Sequence, residues 1–245
     1  MWDAVAISAY QYWLQTRHGI FAFNHKKMLL EHLISPWPRR NQRLLEIGCG
    51  LGMFLELFWK CGFDVTGLDT SVAMLEATRS RLSNRVELRL GCAERLPFQD
   101  NEYDFVALIT VLEFVNNPDV ILSEAVRVAR KGLLLCFLNK YSWHYLASGL
   151  PTPWNHSTLF CNAHWFGPLE VRRLLSRILG RRPIYSRSII PGPPWTWWEI
   201  PSLRFCNSFL LPPFLGAYVG VRIHLLEDKP LTPLCAFTTE PRMLH

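Results

Sequence analysis

Three glycines at alternate positions, Gly48, Gly50 and Gly52, follow a short apolar run formed by Leu44, Leu45 and Ile47, with the acidic Glu46 set inside it. The run suits a buried parallel strand. Beyond the glycines, Leu51, Phe54, Leu55 and Phe58 recur at helical spacing. Strand, glycine turn and helix make a nucleotide cradle, because glycine accepts positive φ and lets a ligand approach the backbone with no Cβ in the way. The spacing discriminates further. A dinucleotide site reads G-x-G-x-x-G and seats a pyrophosphate on the helix N-terminus, whereas this run reads G-x-G-x-G with Cys49 between the first two glycines. A carboxylate at Glu46 would repel a pyrophosphate but suit the ammonium of an amino-acid moiety. Asp69 ends the next apolar run, where a carboxylate can accept both hydroxyls of a ribose. The bland alternative is an acid ahead of a helix that starts at Ser71, favoured by the helix dipole.

Other side chains with chemical potential lie later. His144, His156 and His164 follow the fifth predicted strand and are candidate general bases, although each also reads as a surface or capping histidine. His156, Cys161 and His164 match no zinc spacing and lack a fourth ligand, so no metal is expected. Trp195, Trp197 and Trp198 fall in residues 191–213, a proline-rich stretch unsuited to a regular element. It reads as an aromatic cap over an apolar substrate, with Trp197 and Trp198 touching it, or as a surface resting on a membrane, or as a packed structural loop.

The elements that must position these residues alternate along the chain. Residues 2–34 read as two helices separated by Gly19, with Tyr12, Trp13 and Phe21 as aromatics that pack against the core. Strands are predicted at 43–47, 63–68, 86–90, 103–109 and 132–138, and helices at 51–61, 72–82 and 119–130, with Ser71 as an N-cap. The alternation implies a parallel sheet with right-handed crossovers. Gly48–Gly52, Asp69, Ala93 and Thr110 all fall just after predicted strands, at the edge where such sheets bind ligands. A helix over 170–179 and strands at 184–190 and 217–225 would complete the sheet.

With 245 residues and 49% hydrophobic content, the chain can bury a substantial core as one domain. That reading spans 1–245: a helical lid over 1–40, a cofactor-binding core over 41–140, and a substrate side with sheet completion over 141–245. The net charge of +6 and pI near 9.0 come from scattered basic residues, which fit solvated faces first and an anionic substrate or membrane surface second. Seven cysteines with no C-x-x-C pair point to a reducing compartment. Without a signal-like N-terminus or a run of about eighteen apolar residues, the expected setting is the cytoplasm. Oligomeric state is not legible.

Taken together, Glu46-Ile47-Gly48-Cys49-Gly50-Leu51-Gly52 resembles motif I of the class I S-adenosylmethionine (SAM)-dependent methyltransferases. The run from Gly62 to Ser71 looks like their second strand. Gly91 to Phe98 looks like the adenine-contacting turn, and Tyr103 to Val115 like the fourth strand and the loop beneath the methionine end. The nearest subgroup is type 11, which includes quinone-biosynthesis enzymes. The resemblance implies a Rossmann-like fold with a seven-stranded, mostly parallel sheet, helices on both faces and an aromatic C-terminal insertion. It implies SAM as cofactor, held by Glu46, Gly48, Cys49, Gly50, Gly52, Asp69, Thr70, Met74, Cys92, Ala93, Glu94, Thr110 and Val111. The family commonly lays an N-terminal helix over the cofactor cleft, which makes Tyr12, Trp13 and Phe21 lid candidates by resemblance. Cys92 stands where the subgroup often has Asp, and Phe114 where it often has His.

The implied activity is methyl transfer to a small, apolar or aromatic molecule. A nucleic-acid methyltransferase is the first rival, permitted by the basic pI. The loop Ile109-Thr110-Val111-Leu112 lacks the Asn/Asp-Pro-Pro-aromatic run of enzymes that methylate flipped-out adenine, and no basic patch is interleaved with aromatics. The second rival is a SAM-binding partner protein without turnover.

Overall fold

In the computed structural model, residues 4–150, 163–197 and 209–226 are described. His156, Cys161, Trp198 and the middle of the 191–213 stretch lie outside them. Two helices come first, α1 (Ala4–Gln15) and α2 (Arg17–Ile34). There follow β1 (Arg43–Ile47), α3 (Met53–Lys60), β2 (Asp64–Asp69), α4 (Val72–Leu82), β3 (Glu87–Leu90) and β4 (Tyr103–Ile109). Then come α5 (Pro118–Val128), β5 (Ala129–Leu138), α6 (Pro168–Leu179), β6 (Ile184–Ile189) and β7 (Tyr218–His224).

The seven strands form one sheet in the order β3-β2-β1-β4-β5-β7-β6. Neighbours from β3 to β5 are parallel, and β7 runs antiparallel between β5 and β6. Order reverses between β1 and β4, which opens a crevice at the carboxyl ends of β1, β2 and β4. The alternation of side chains along each strand sorts the core into two layers. Leu44, Phe105 and Ala107 pack against α2, α3 and α4, while Leu45, Val106 and Leu108 pack against α5 and α6.

Two boundaries differ from the sequence expectation. The break between α1 and α2 falls at Thr16, not Gly19: Thr16 is extended and its hydroxyl accepts from the Gly19 amide at 3.1 Å. Gly19 instead lies in the first turn of α2, where a Cβ would stand 2.0 Å from the Trp13 carbonyl oxygen. Its role is close approach of the two helices. Helix α5 stops at Val128, earlier than predicted, because Arg130 and Lys131 are drawn into β5 by the Asp104 carboxylate. The N-cap at Ser71 is as expected, its hydroxyl accepting from the Met74 amide.

The N-terminal forty residues divide between two tasks. Helix α2 is core: Leu29 and Leu33 press on β7 so closely that a Cβ on Gly220 would meet Leu33 at 2.4 Å. Among the described residues of this region, Tyr10 and Trp13 of α1 and Lys26 of α2 reach the crevice. Among the described residues, no helix is long and apolar enough to cross a membrane.

Candidate functional site

The glycine turn after β1 is shaped for contact with a ligand. Gly48, Gly50 and Gly52 have φ of +69°, +50° and +67°, the left-handed region that disfavours other residues. Their roles differ. A Cβ on Gly48 would strike Val111 at 2.7 Å and one on Gly52 would strike Thr78 at 2.5 Å, so both serve packing. A Cβ on Gly50 would meet nothing within 4 Å, because it would project into a cavity of about 430 Å³. That volume lies within the usual range for a small-molecule site.

Glu46, Gly48, Cys49, Gly50, Asp69, Thr70, Met74, Ala93, Glu94, Thr110 and Val111 all line this cavity. Asp69 is fixed by two backbone amides, Gly50 N–H to Oδ2 at 2.8 Å and Ser71 N–H to Oδ1 at 2.9 Å. Each oxygen keeps a further lone pair, so the carboxylate can still accept from a diol. Glu46 is buried, and its Oε2 has no hydrogen-bond partner among the described residues. Burial, reinforced by the Asp69 charge, pushes its carboxyl well above the usual range. A cation arriving beside it would offset both effects. Thr110 is β-branched yet takes φ +57°, and its buried Oγ1 also lacks a partner. Such backbone strain is costly and gathers at functional sites.

Several expected site residues lie elsewhere. Gly52 caps α3 away from the cavity. Cys92 is exposed, with Sγ facing the Arg95 carbonyl at 4.0 Å, so the turn presents Gly91, Ala93 and Glu94 inward and Cys92 outward. Tyr12 is 72% exposed and points away, while its helix neighbour Trp13 does line the cavity. Trp197 is 1% exposed and packs in the core against Phe21, His144 and Tyr218, donating from Nε1 to the Gly192 carbonyl at 3.0 Å. It is a structural anchor rather than a cap.

Neither described histidine candidate reaches the cavity. His144 is buried among Trp165, Trp197 and Tyr218, and burial lowers its pKa to about 3, so it stays neutral. His164 sits on the surface, 3.7 Å from Glu170. Among the described residues, no cluster of potential metal ligands occurs.

The structure adds residues the sequence reading did not single out. Tyr10 joins Trp13 from α1, and Met53 and Phe54 come from α3. Burial, with the nearby Glu46 charge, raises the Tyr10 phenol to about 12, so it stays protonated. Lys26 enters from α2, only 5% exposed, its Nζ 5.3 Å from the Phe54 ring centroid and 4.8 Å from that of Tyr218. Its signal was present in the sequence: Lys26 occupies the stripe of Ala22, Leu29, Leu30 and Leu33, spacings of three and four that bury a helix face.

This sheet order, with a glycine cradle at its reversal point and an acid after β2, defines the Rossmann-like class I methyltransferase fold. Solved structures agree. A Thermotoga maritima SAM-dependent methyltransferase, described as a possible histamine N-methyltransferase, superposes with a TM-score of 0.70 at 23% identity, covering 90% of this chain and 96% of that one. The Synechocystis magnesium protoporphyrin IX methyltransferase with bound SAM gives a TM-score of 0.58 at 14% identity, covering 84% and 80%.

Residues 45–137 match the family described as "Methyltransferase domain". Curated relatives include a demethylmenaquinone methyltransferase of Renibacterium salmoninarum, 36% identical over 38% of this chain and 38% of that protein. A ubiquinone biosynthesis O-methyltransferase of Maricaulis maris is 30% identical over 54% of each. The chain thus matches from about a third to about half of the length of these two relatives.

Proposed function

We propose that the protein transfers the methyl group of SAM to a small molecule that enters the cavity beside Thr110, Trp13 and Phe54. The observation that carries this reading is the cradle itself, with open space above Gly50 flanked by the anchored Asp69 carboxylate and the buried, unpartnered Glu46 oxygen. In this reading Asp69 accepts from the ribose hydroxyls and Glu46 faces the amino-acid ammonium. Met74 and the Ala93 backbone border the adenine. Thr110 and Val111 flank the reacting end. When bound, SAM supplies an electrophilic methyl group on a sulfonium sulfur. The chain's own contribution is position and exclusion of water, since in-line displacement depends on alignment more than on proton movement. Trp13, Phe54 and Phe114 supply apolar wall on that side, which supports an apolar or aromatic acceptor. The quinone-related names among the relatives point the same way. Free Cys49, Cys61, Cys92 and Cys136 support a reducing, cytoplasmic setting.

Calorimetry with SAM and its demethylated product tests this reading. Asp69→Ala removes charge-assisted hydrogen bonds worth on the order of 1.5–3 kcal/mol each, so affinity should fall at least about tenfold. Unchanged affinity would remove Asp69 from the ribose. Tighter binding of NAD than of SAM would overturn the cofactor assignment.

A further inference from the structure

Lys26 is an amine placed where folding alone would not put one, and burial pulls its pKa below the usual lysine range. It lies on the apolar stripe of α2 and reaches the cavity wall between two aromatic rings. It has no hydrogen-bond or ion-pair partner among the described residues, although charged side chains of that kind are rarely buried unpaired. The carboxyl nearest in effect is Glu113, whose Oε1 is committed to the Leu138 amide at 2.6 Å. Cys136 and His144 also face Lys26, and neither supplies a counter-charge: burial raises the Cys136 thiol to about 12 and keeps His144 neutral.

The charge distribution of the cavity sharpens the question. Of the acidic residues that line it, Glu46 and Asp69 lie at the cradle, where the Proposed function seats the cofactor, and Glu94 is exposed on the turn after β3. A second cation beside a sulfonium is unfavourable in a partly desolvated space unless an anion stands between them. Phe54 and Tyr218 hold the ammonium in place through their ring faces, which compensates part of its lost hydration.

We infer that Lys26 is a specificity-determining residue that pairs with an anionic oxygen of the methyl acceptor. The acceptor class is an oxyanion-bearing aromatic, whose apolar body rests against Trp13 and Phe54 while its charged oxygen meets Nζ. The aryl oxyanion comes from one of two sources, an ionised phenol or a carboxylate. This rests on the methyltransferase reading for the cofactor's place, but the ion pair can be tested apart from it.

The test measures binding of para-nitrophenolate, para-nitrobenzoate and the neutral para-nitrotoluene to wild type and Lys26→Met, each saturated with S-adenosylhomocysteine. Wild type should prefer an oxyanion probe to para-nitrotoluene. In Lys26→Met that probe should bind about tenfold more weakly or worse, while para-nitrotoluene changes less than about twofold. Whichever anion shows the loss identifies the source. S-adenosylhomocysteine affinity should be unchanged, and the variant should melt higher, because a buried unpaired charge is replaced by an apolar side chain of similar length. Oxyanion binding that ignores the substitution overturns the inference. So does a wild type with no preference for the anions. Lys26→Gln provides the same comparison should the methionine variant fail to fold. Failure of S-adenosylhomocysteine to bind wild type would instead overturn the Proposed function, and the probe comparison is then made on the cofactor-free protein.

Discussion

Glu46 shows how one side chain can be costly to the fold and useful to the site. Its burial and the neighbouring Asp69 charge hold the carboxyl protonated well above the usual range. A ligand ammonium beside Oε2 stabilises the ionised form, so cofactor binding should release a proton. Affinity then rises with pH up to the carboxyl's folded-state pKa and levels beyond it. Calorimetry in buffers of different ionisation enthalpy counts the proton, and Glu46→Gln should both abolish the release and weaken binding by about tenfold. Wild-type binding without proton release would place the ammonium elsewhere. Tyr10 senses the same charge from α1, its phenol raised first by burial and then by Glu46.

At the scale of elements, the join between α1 and α2 governs how the cavity is covered. Gly19 lets the start of α2 pass against the Trp13 carbonyl, and Trp13 is itself a wall of the cavity. Gly19→Ala must therefore displace α1 against backbone atoms that cannot yield cheaply. The expected cost is about 1–3 kcal/mol, in the range of other overpacked sites. Because the displaced helix carries Tyr10 and Trp13, SAM should also dissociate faster, measurable by stopped-flow. Unchanged stability together with unchanged dissociation would mean that α1 does not depend on this crossing. The sequence read Gly19 as the boundary, which lies at Thr16 instead, and did not show its purpose. A glycine in a helical pattern reads as a break, and only the packing shows the carbonyl it must clear. The strands were legible to within a few residues because buried parallel strands are continuous apolar runs that admit few other readings. The cradle was legible for a related reason: its contacts are made by backbone, and glycine spacing encodes backbone directly. Trp197 and the outward turn of Cys92 were not, since each depends on which way a side chain faces once helix and sheet have met.

The molecule as a whole should carry two opposing pH dependences that conceal each other. Burial pushes Glu113 up to about 7 from an ordinary 4.5, against the Leu138 amide, its own amide and the Lys26 charge, all of which pull it down. The folded state thus holds a proton that the unfolded chain releases. This contribution is complete below pH 4.5 and is lost as pH rises to about 7, a change on the order of 3 kcal/mol. His144 does the reverse. Burial, helped by Lys26, lowers it from 6.5 to about 3, so stability falls as pH drops through that interval, by at most about 5 kcal/mol. Between pH 4.5 and 6.5 the two slopes cancel. Glu113→Gln keeps an acceptor for the Leu138 amide but removes the titration. Relative to wild type, its stability should gain with rising pH across that window. His144→Phe, which suits the surrounding Trp165, Trp197 and Tyr218, should lose stability relative to wild type over the same range. The double variant should run parallel to wild type. Urea unfolding at half-unit pH steps reads all four proteins. Single variants that both track wild type would show that neither group titrates far from its ordinary range.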